Sequence, residues 1–197
     1  MTESFHQKFN QNVIHIFPGE YHIISSSEII STLLGSCVAV VLYDPIKRVG
    51  GMNHFMLPEA VNPDTFYLSS AGKYGMYAME LLINGLIKAG ADKRSLRAKV
   101  FGGSSMFGEG LQAAGSIPES NTQLAFNFLK LEHIPVVSSD VGGVQARRLF
   151  FLLDTFKVYV KKIEKNIVKT MKDEELSYLE KMNRNRVNDS STITLYE

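Results

Sequence analysis

Residues 38–57 read VAVVLYDPIKRVGGMNHFML. Val38 to Tyr43 is an unbroken β-branched and apolar run, the mark of a strand buried on both faces. Asp44-Pro45 opens a turn through Lys47 and Arg48, and Val49 to Leu57 returns as a second strand that Pro58 stops. The length of that turn decides which residues meet. A four-residue loop, Asp44 to Lys47, pairs Tyr43 with Arg48 and sets Cys37 directly opposite His54. A five-residue loop moves the partner to Phe55 and turns His54 to the other face. Directly opposed residues have Cβ atoms about 4.5–5.5 Å apart, so a thiol and an imidazole can meet there.

Outward from this hairpin, Val13 to Phe17, Tyr21 to Ser25 and Glu28 to Leu33 read as strands, the first two parted by a Pro18-Gly19 turn. Ala71 to Ala89 has apolar residues at three- and four-residue steps, with Ser69 or Ser70 as N-cap and Gly90 at the C′ position, so it reads as a helix. Arg97 to Phe101 is a strand leading into a glycine-rich stretch, Gly102 to Gly108. Ser120 and Gln123 form a capping-box pattern for a second helix, with Leu124, Phe128 and Leu131 as its buried stripe. Val136 to Ser139, Arg148 to Leu153 and Phe156 to Ile163 complete the strands. The class is therefore α+β: an α/β sandwich with a strand-rich core of mixed or antiparallel sheets and two main helices. Residues 1–164 read as one domain. Residues 165–197 read as a C-terminal extension, with a short amphipathic helix over Asn166 to Met182 and a polar, disordered tail.

Across 197 residues, 21 Lys and Arg balance 20 Asp and Glu. That balance lacks the basic excess of a dedicated nucleic-acid or anionic-membrane binder. A chain of this size buries about 70% of its unfolded surface and needs no disulfide or metal staple. Its one cysteine, Cys37, excludes an internal disulfide and any zinc site built on a CxxC pair. The longest uncharged run in the first half, Ile29 to Tyr43, is 15 residues and carries Ser31, Thr32, Gly35 and Ser36. A spanning helix needs about 20 apolar residues. With no apolar leader run at the N-terminus, the expectation is a cytoplasmic chain with no membrane insertion.

The chemistry gathers around Cys37 and His54. The thiolate is the nucleophilic form of cysteine, and a neighbouring imidazolium stabilises it. The same imidazole can hand a proton to a departing amine. The contrary reading is that a lone cysteine is a small buried apolar side chain. Gly102 to Gly108 lacks the spacing and lysine of a phosphate loop and reads instead as a strand-end turn where backbone approaches a substrate. Asp140-Val141-Gly142-Gly143 reads as a turn. Met52, Met56, Met76, Met79 and Met106 read as core filler, and His133 as a partner of a helix C-terminus. No motif asks for a cofactor or a metal.

Three stretches together carry a family resemblance. Thr-Leu-Leu-Gly-Ser-Cys-Val-Ala-Val at 32–40, Tyr-Asp-Pro at 43–45 and Gly-Gly-Met-Asn-His-Phe-Met-Leu-Pro at 50–58 closely resemble the chemoreceptor glutamine deamidases, the CheD family. Lys99 to Phe107, Asp140 to Gly143 and the strand pair from Arg147 to Ile163 are similar to it as well. The resemblance implies a CheD-like fold and a protein-glutamine deamidase (glutaminase) that turns receptor glutamines into glutamate through a cysteine thioester, with Cys37 as nucleophile and His54 as base and acid. Some members have their threonine six positions before the cysteine, in a loop one residue longer. Here that position is Ser31, and Thr32 stands five before. Treating the difference as a one-residue deletion selects Thr32 as the third member. Backbone N–H groups around Ser36 and Cys37 would then face the oxyanion. The implied partners are the cytoplasmic helices of a chemoreceptor and a CheC-type phosphatase. Two rival readings share these residues: a non-catalytic adaptor on the same fold, and a related cysteine hydrolase such as a methylesterase or a transglutaminase-like enzyme.

Overall fold

A computed structural model describes residues 1–61, 69–105 and 116–163, together with residues 177, 178, 180, 181 and 184. Expectations for Met106 to Gly108, for most of the Asn166–Met182 helix and for the tail beyond it lie outside the described residues.

Within them the strands are β1 (Thr2–His6), β2 (Gln11–His15), β3 (Tyr21–Ile24), β4 (Ile29–Leu34), β5 (Val38–Asp44), β6 (Val49–Asn53), β7 (Arg97–Gly102), β8 (Val136–Val141), β9 (Arg147–Leu152) and β10 (Lys157–Lys162); the helices are α1 (Ser70–Lys88) and α2 (Ile117–Leu131). They form two five-stranded sheets, ordered β1-β2-β4-β9-β10 and β3-β6-β5-β7-β8. The β2–β4 and β7–β8 pairs are parallel and the rest antiparallel, so both sheets are mixed. This is the expected α+β class with a strand-rich core. No described helix is long and apolar enough to cross a membrane.

Alternation along the central strands builds the layers. Val38, Val40 and Leu42 of β5 face Met79, Leu82 and Leu86 of α1 and Leu124 and Phe128 of α2. Cys37, Ala39, Val41 and Tyr43 face the other way, against Ile30, Leu34, Leu149 and Phe151 of the first sheet. The order is helices, second sheet, first sheet, with β5 buried on both faces.

The register of the hairpin differs from both registers considered above, with a four-residue turn placed one residue further along. Asp44 pairs with Val49, Tyr43 with Gly50 and Val41 with Met52, so the turn is Pro45 to Arg48. The Asp44 carboxylate explains this. Its Oδ1 accepts from the Ile46 and Lys47 N–H groups at 2.8 and 3.0 Å, which holds Asp44 in the strand and the turn beyond it. Arg48 closes the turn at φ +54°. The result is a two-residue shift, which keeps every side chain on its face but moves partners along the strand. Cys37 and His54 are thus not directly opposed. They lie on the same face, one diagonal step apart, flanking the Val38–Phe55 bridge.

Other boundaries differ for local reasons. α2 begins at Ile117, not Ser120, because Ser116 caps it and Pro118 fits its first turn. The Ser120 hydroxyl is spent instead on the Val61 N–H, 3.0 Å away. β6 stops at Asn53 because its ladder to β3 breaks there: His54 N–H still reaches the Glu20 carbonyl at 2.9 Å, but the Glu20 N–H turns to the Phe17 carbonyl and Gly19 N–H takes the His54 carbonyl. β1 was not expected, since its polar residues alternate with nothing buried; it is an exposed edge strand paired to β2. Ser69 caps α1 as expected.

Gly102 and Gly142 both have positive φ, +112° and +72°. An added Cβ at Gly102 would collide with the Cys37 carbonyl oxygen, whereas one at Gly142 meets nothing within 4 Å. Gly102→Ala should therefore cost about 2–4 kcal/mol and Gly142→Ala about 1–2 kcal/mol, read as the difference in urea-unfolding free energy. Equal costs would mean that the close approach to Cys37 does not constrain the fold.

Candidate active site

His54 sits where the β5–β6 ladder is interrupted. Asn53 Oδ1 fills the gap by accepting the Val40 N–H at 2.9 Å, and Asn53 Nδ2 donates to the Ala78 carbonyl of α1 at 3.2 Å. The His54 carbonyl accepts the Gly19 N–H at 2.8 Å. Its backbone is thereby held between the second sheet and the Gly19-Glu20 turn, and its ring enters the space between the sheets.

There it meets Thr32 of β4. Thr32 lies on the face of Ile30 and Leu34, turned toward the second sheet, with its Oγ1 2.7 Å from His54 Nδ1 and 2.8 Å from the Ile16 carbonyl oxygen. A carbonyl only accepts, so the Thr32 hydroxyl donates to Ile16 and its oxygen accepts from Nδ1–H. This places the ring proton on Nδ1 and leaves Nε2 with a lone pair. Nε2 is buried and has no hydrogen-bond partner. Ser31 points the opposite way, on the face of Ile29 and Leu33, and its hydroxyl is a buried group without a partner there. The structure brings Thr32, not Ser31, to His54.

Desolvation dominates the electrostatics. Burial pushes the His54 pKa down to about 3, while hydrogen bonding to the Ile16 carbonyl acts in the opposite direction. The imidazole is therefore neutral at rest. Diagonal same-face neighbours are about 7–8 Å apart at the backbone and somewhat closer at Cβ, within reach for a cysteine and a histidine.

The loop that carries Cys37 is fixed by its carbonyls. Gly35 accepts from Ser104 N–H at 2.7 Å and Cys37 from Gly103 N–H at 2.7 Å. Ser36 accepts from Asn121 Nδ2 at 2.9 Å. Because a trans peptide points its C=O and N–H opposite ways, holding the Ser36 carbonyl toward α2 directs the Cys37 N–H toward the intersheet side, where an oxyanion could be met. Gly102 and Gly103 thereby approach the Cys37 loop itself. Arg147 braces this turn from behind, its guanidinium bound to Asp140, the Gly142 carbonyl and Ser104 Oγ. Among the described residues no three of His, Cys, Asp and Glu gather as metal ligands.

Asn121 and the Ile16 carbonyl were not singled out from the sequence. A signal existed for Asn121: it stands three before Leu124 on the buried stripe of α2, where an apolar residue would be expected. Its Oδ1 also accepts the Leu57 N–H at 2.7 Å, so one side chain links the Cys37 loop to the segment after His54. For Ile16 the sequence holds no signal, because a carbonyl belongs to every residue.

Comparison with known proteins fits this geometry. A family model described as CheD chemotactic sensory transduction matches residues 56–162. This chain belongs to the CheD family. Curated relatives include the probable chemoreceptor glutamine deamidase CheD 1 of Shewanella oneidensis, 39% identical over 88% of this chain and 84% of its own. A second, from Janthinobacterium sp. (strain Marseille), is 38% identical over 90% and 87%. A third, from Bordetella parapertussis, is 45% identical over 81% and 74%. The family model begins just after His54, but the first two alignments are long enough to include residues 32–54 wherever they start. A solved structure, Bacillus licheniformis hypothetical protein YfiH, covers 61% of this chain and 49% of its own at 11% identity and TM-score 0.38, too slight a likeness to inform fold or function.

The buried neutral histidine of this CheD-family chain carries a pH signature. Unfolded, it titrates near 6.5; folded, near 3. Between those values the unfolded state holds the extra proton, so stability is full above the unfolded pKa and falls as pH drops, by about 1.4 kcal/mol per pH unit for one proton. Urea unfolding between pH 4.5 and 6 should show this slope reduced by that amount in His54→Asn. The same slope in both proteins would mean that His54 is solvated.

Proposed function

We propose that this chain is a cysteine-dependent protein-glutamine deamidase that converts glutamines of chemoreceptors to glutamate with release of ammonia. The observation that carries the reading is the arrangement of His54: Nδ1–H held by Thr32, Nε2 left as a base, and Cys37 on the same face of the same hairpin. The names of the relatives supply the substrate class. In this reading residues 1–164 are the deamidase domain, residues 165–197 an extension, and the reaction takes place in the cytoplasm, where receptor helices carry the target glutamines. A CheC-type phosphatase is the second partner, on family grounds alone.

The steps balance without a cofactor. Cys37 sulfur attacks the side-chain amide carbon as its proton passes to His54 Nε2. The carbonyl becomes an oxyanion facing the Cys37 N–H. His54 then gives that proton to the amide nitrogen as the C–N bond breaks, releasing ammonia and leaving a thioester. Water attacks the thioester while His54 takes its proton, the C–S bond breaks, and the thiolate recovers the proton. Thr32 keeps the ring in one tautomer through both halves, a task given to a carboxylate in other triads. A neutral orienter suits this site, because a second buried charge would have to be desolvated.

Peptide mass spectrometry of a receptor cytoplasmic domain incubated with the protein should show the Gln-to-Glu mass gain at discrete sites, and none with Cys37→Ala. Thr32→Val should lower kcat about 10–100-fold with KM little changed, and Thr32→Ser should restore most of it. No mass gain with the wild type, alongside stable receptor binding, would favour the adaptor reading and sink this one.

A further inference from the structure

A glutamine side chain must reach the Cys37 sulfur, yet Cys37 is 0% exposed and His54 3%. On three sides the framework packs against the Cys37 loop. Gly102 and Gly103 lie against the Cys37 carbonyl, Asn121 holds the Ser36 carbonyl from α2, and the first sheet packs Ile30, Leu34 and Phe151 on the same cluster. Two cavities reach His54: one of about 250 Å³ on the side of Ile16, Thr32 and Arg148, and one of about 80 Å³ lined by Gly19 and Tyr74. Tyr178 touches both Gly19 and Tyr74 of the second.

Tyr178 packs against the intersheet cluster that contains Cys37. Its hydroxyl hydrogen-bonds to the Tyr74 hydroxyl of α1. A Cβ at Gly19 would lie 2.5 Å from the Tyr178 hydroxyl oxygen and 2.7 Å from its ring. Gly19 is the residue whose N–H holds the His54 carbonyl, so the tyrosine rests on the chain that positions the histidine. Burial pushes the Tyr178 pKa up, with the Tyr74 bond and the nearby Cys37 charge acting in the same direction. Residues 177, 178, 180, 181 and 184 are helical, and Tyr178 alone among them is withdrawn from solvent; Ser177, Glu180, Lys181 and Arg184 are exposed. Among the described residues of this segment, Tyr178 makes the contacts at this site, through its ring and one hydrogen bond, an attachment that local opening can undo.

We propose that Tyr178 is an intrasteric cover, occupying the passage by which the substrate side chain reaches Cys37, and that the arriving receptor helix displaces it. The proposal rests on the reading of Cys37 as nucleophile. It adds a closed state that holds the thiol away from adventitious electrophiles and lowers activity by the fraction of molecules that are covered.

The test reads the thiol and not the reaction. Full-length wild type, Tyr178→Ala, Tyr178→Phe and Glu180→Ala are treated with iodoacetamide, and the rate of mass gain is followed; with one cysteine in the chain the alkylation site is unambiguous. Tyr178→Ala should react at least about tenfold faster than wild type, Tyr178→Phe should fall between them because it keeps the ring and loses the Tyr74 bond, and Glu180→Ala should match wild type. Equal rates for wild type and Tyr178→Ala would overturn the cover, as would an equal acceleration in Glu180→Ala. Faster alkylation with no receptor deamidation by any form would keep the cover and overturn the deamidase. Deamidation by wild type with unchanged alkylation rates would do the reverse.

Discussion

The hydrogen bonds from His54 Nδ1–H to the Thr32 hydroxyl and on to the Ile16 carbonyl cross a core otherwise built from Ile30, Leu34, Met52, Leu149 and Phe151. Thr32 belongs to one sheet, and His54 follows the last strand residue of a hairpin in the other. A polar group left unpaired in such surroundings costs about 1–3 kcal/mol, so the two sheets cannot slide past one another without losing this contact. Apolar packing alone would bring the sheets together at many offsets of similar energy. The bond to Thr32 selects one of them and leaves Nε2 as the nitrogen without a proton.

The cysteine is placed by a different means. Three consecutive carbonyls, those of Gly35, Ser36 and Cys37, are each claimed by a donor from the glycine turn after β7 or from α2. Fixing successive peptide planes fixes the dihedral angles between them, so the position of Cys37 follows from backbone geometry. Gly102 is indispensable to this because only a residue without a Cβ lets one strand end approach the other's carbonyl so closely. Arg147 and Asp140 stiffen the turn in the adjoining layer, which explains why a guanidinium is buried in a protein with little net charge.

Much of this was legible in the sequence. The shorter of the two turns considered put Cys37 and His54 on one face, and the observed register keeps them there, because it is offset from that one by two residues and side chains alternate with period two. The offset itself came from Asp44: periodicity says nothing about a carboxylate capturing two turn amides, and that capture sets the loop. The choice of Thr32 over Ser31 rested on how a deletion was placed, and the strand settles the geometry by parity alone. The start of α2 was misread because Ser116 and Ser120 both fit a cap, and the contact that commits Ser120 elsewhere comes from Val61, far away in the chain. The Ile16 carbonyl and both roles of Asn121 are likewise long-range contacts, invisible to local pattern.

A nucleophile that works from a closed, apolar site faces opposing demands. Burial keeps His54 neutral and able to accept a proton, but the same burial disfavours the thiolate and the imidazolium that the proposed reaction must form. An open site would stabilise those charges with water and weaken every hydrogen bond that orients them. A cover held by one tyrosine reconciles the two. While it is in place the Thr32–His54 bond is formed between two buried side chains. When a substrate helix takes its place, the incoming amide brings its own dipole to the Cys37 N–H, and charge develops where a donor already stands. In the proposed reaction the cost of displacing Tyr178 is then met by binding of the remote parts of the substrate.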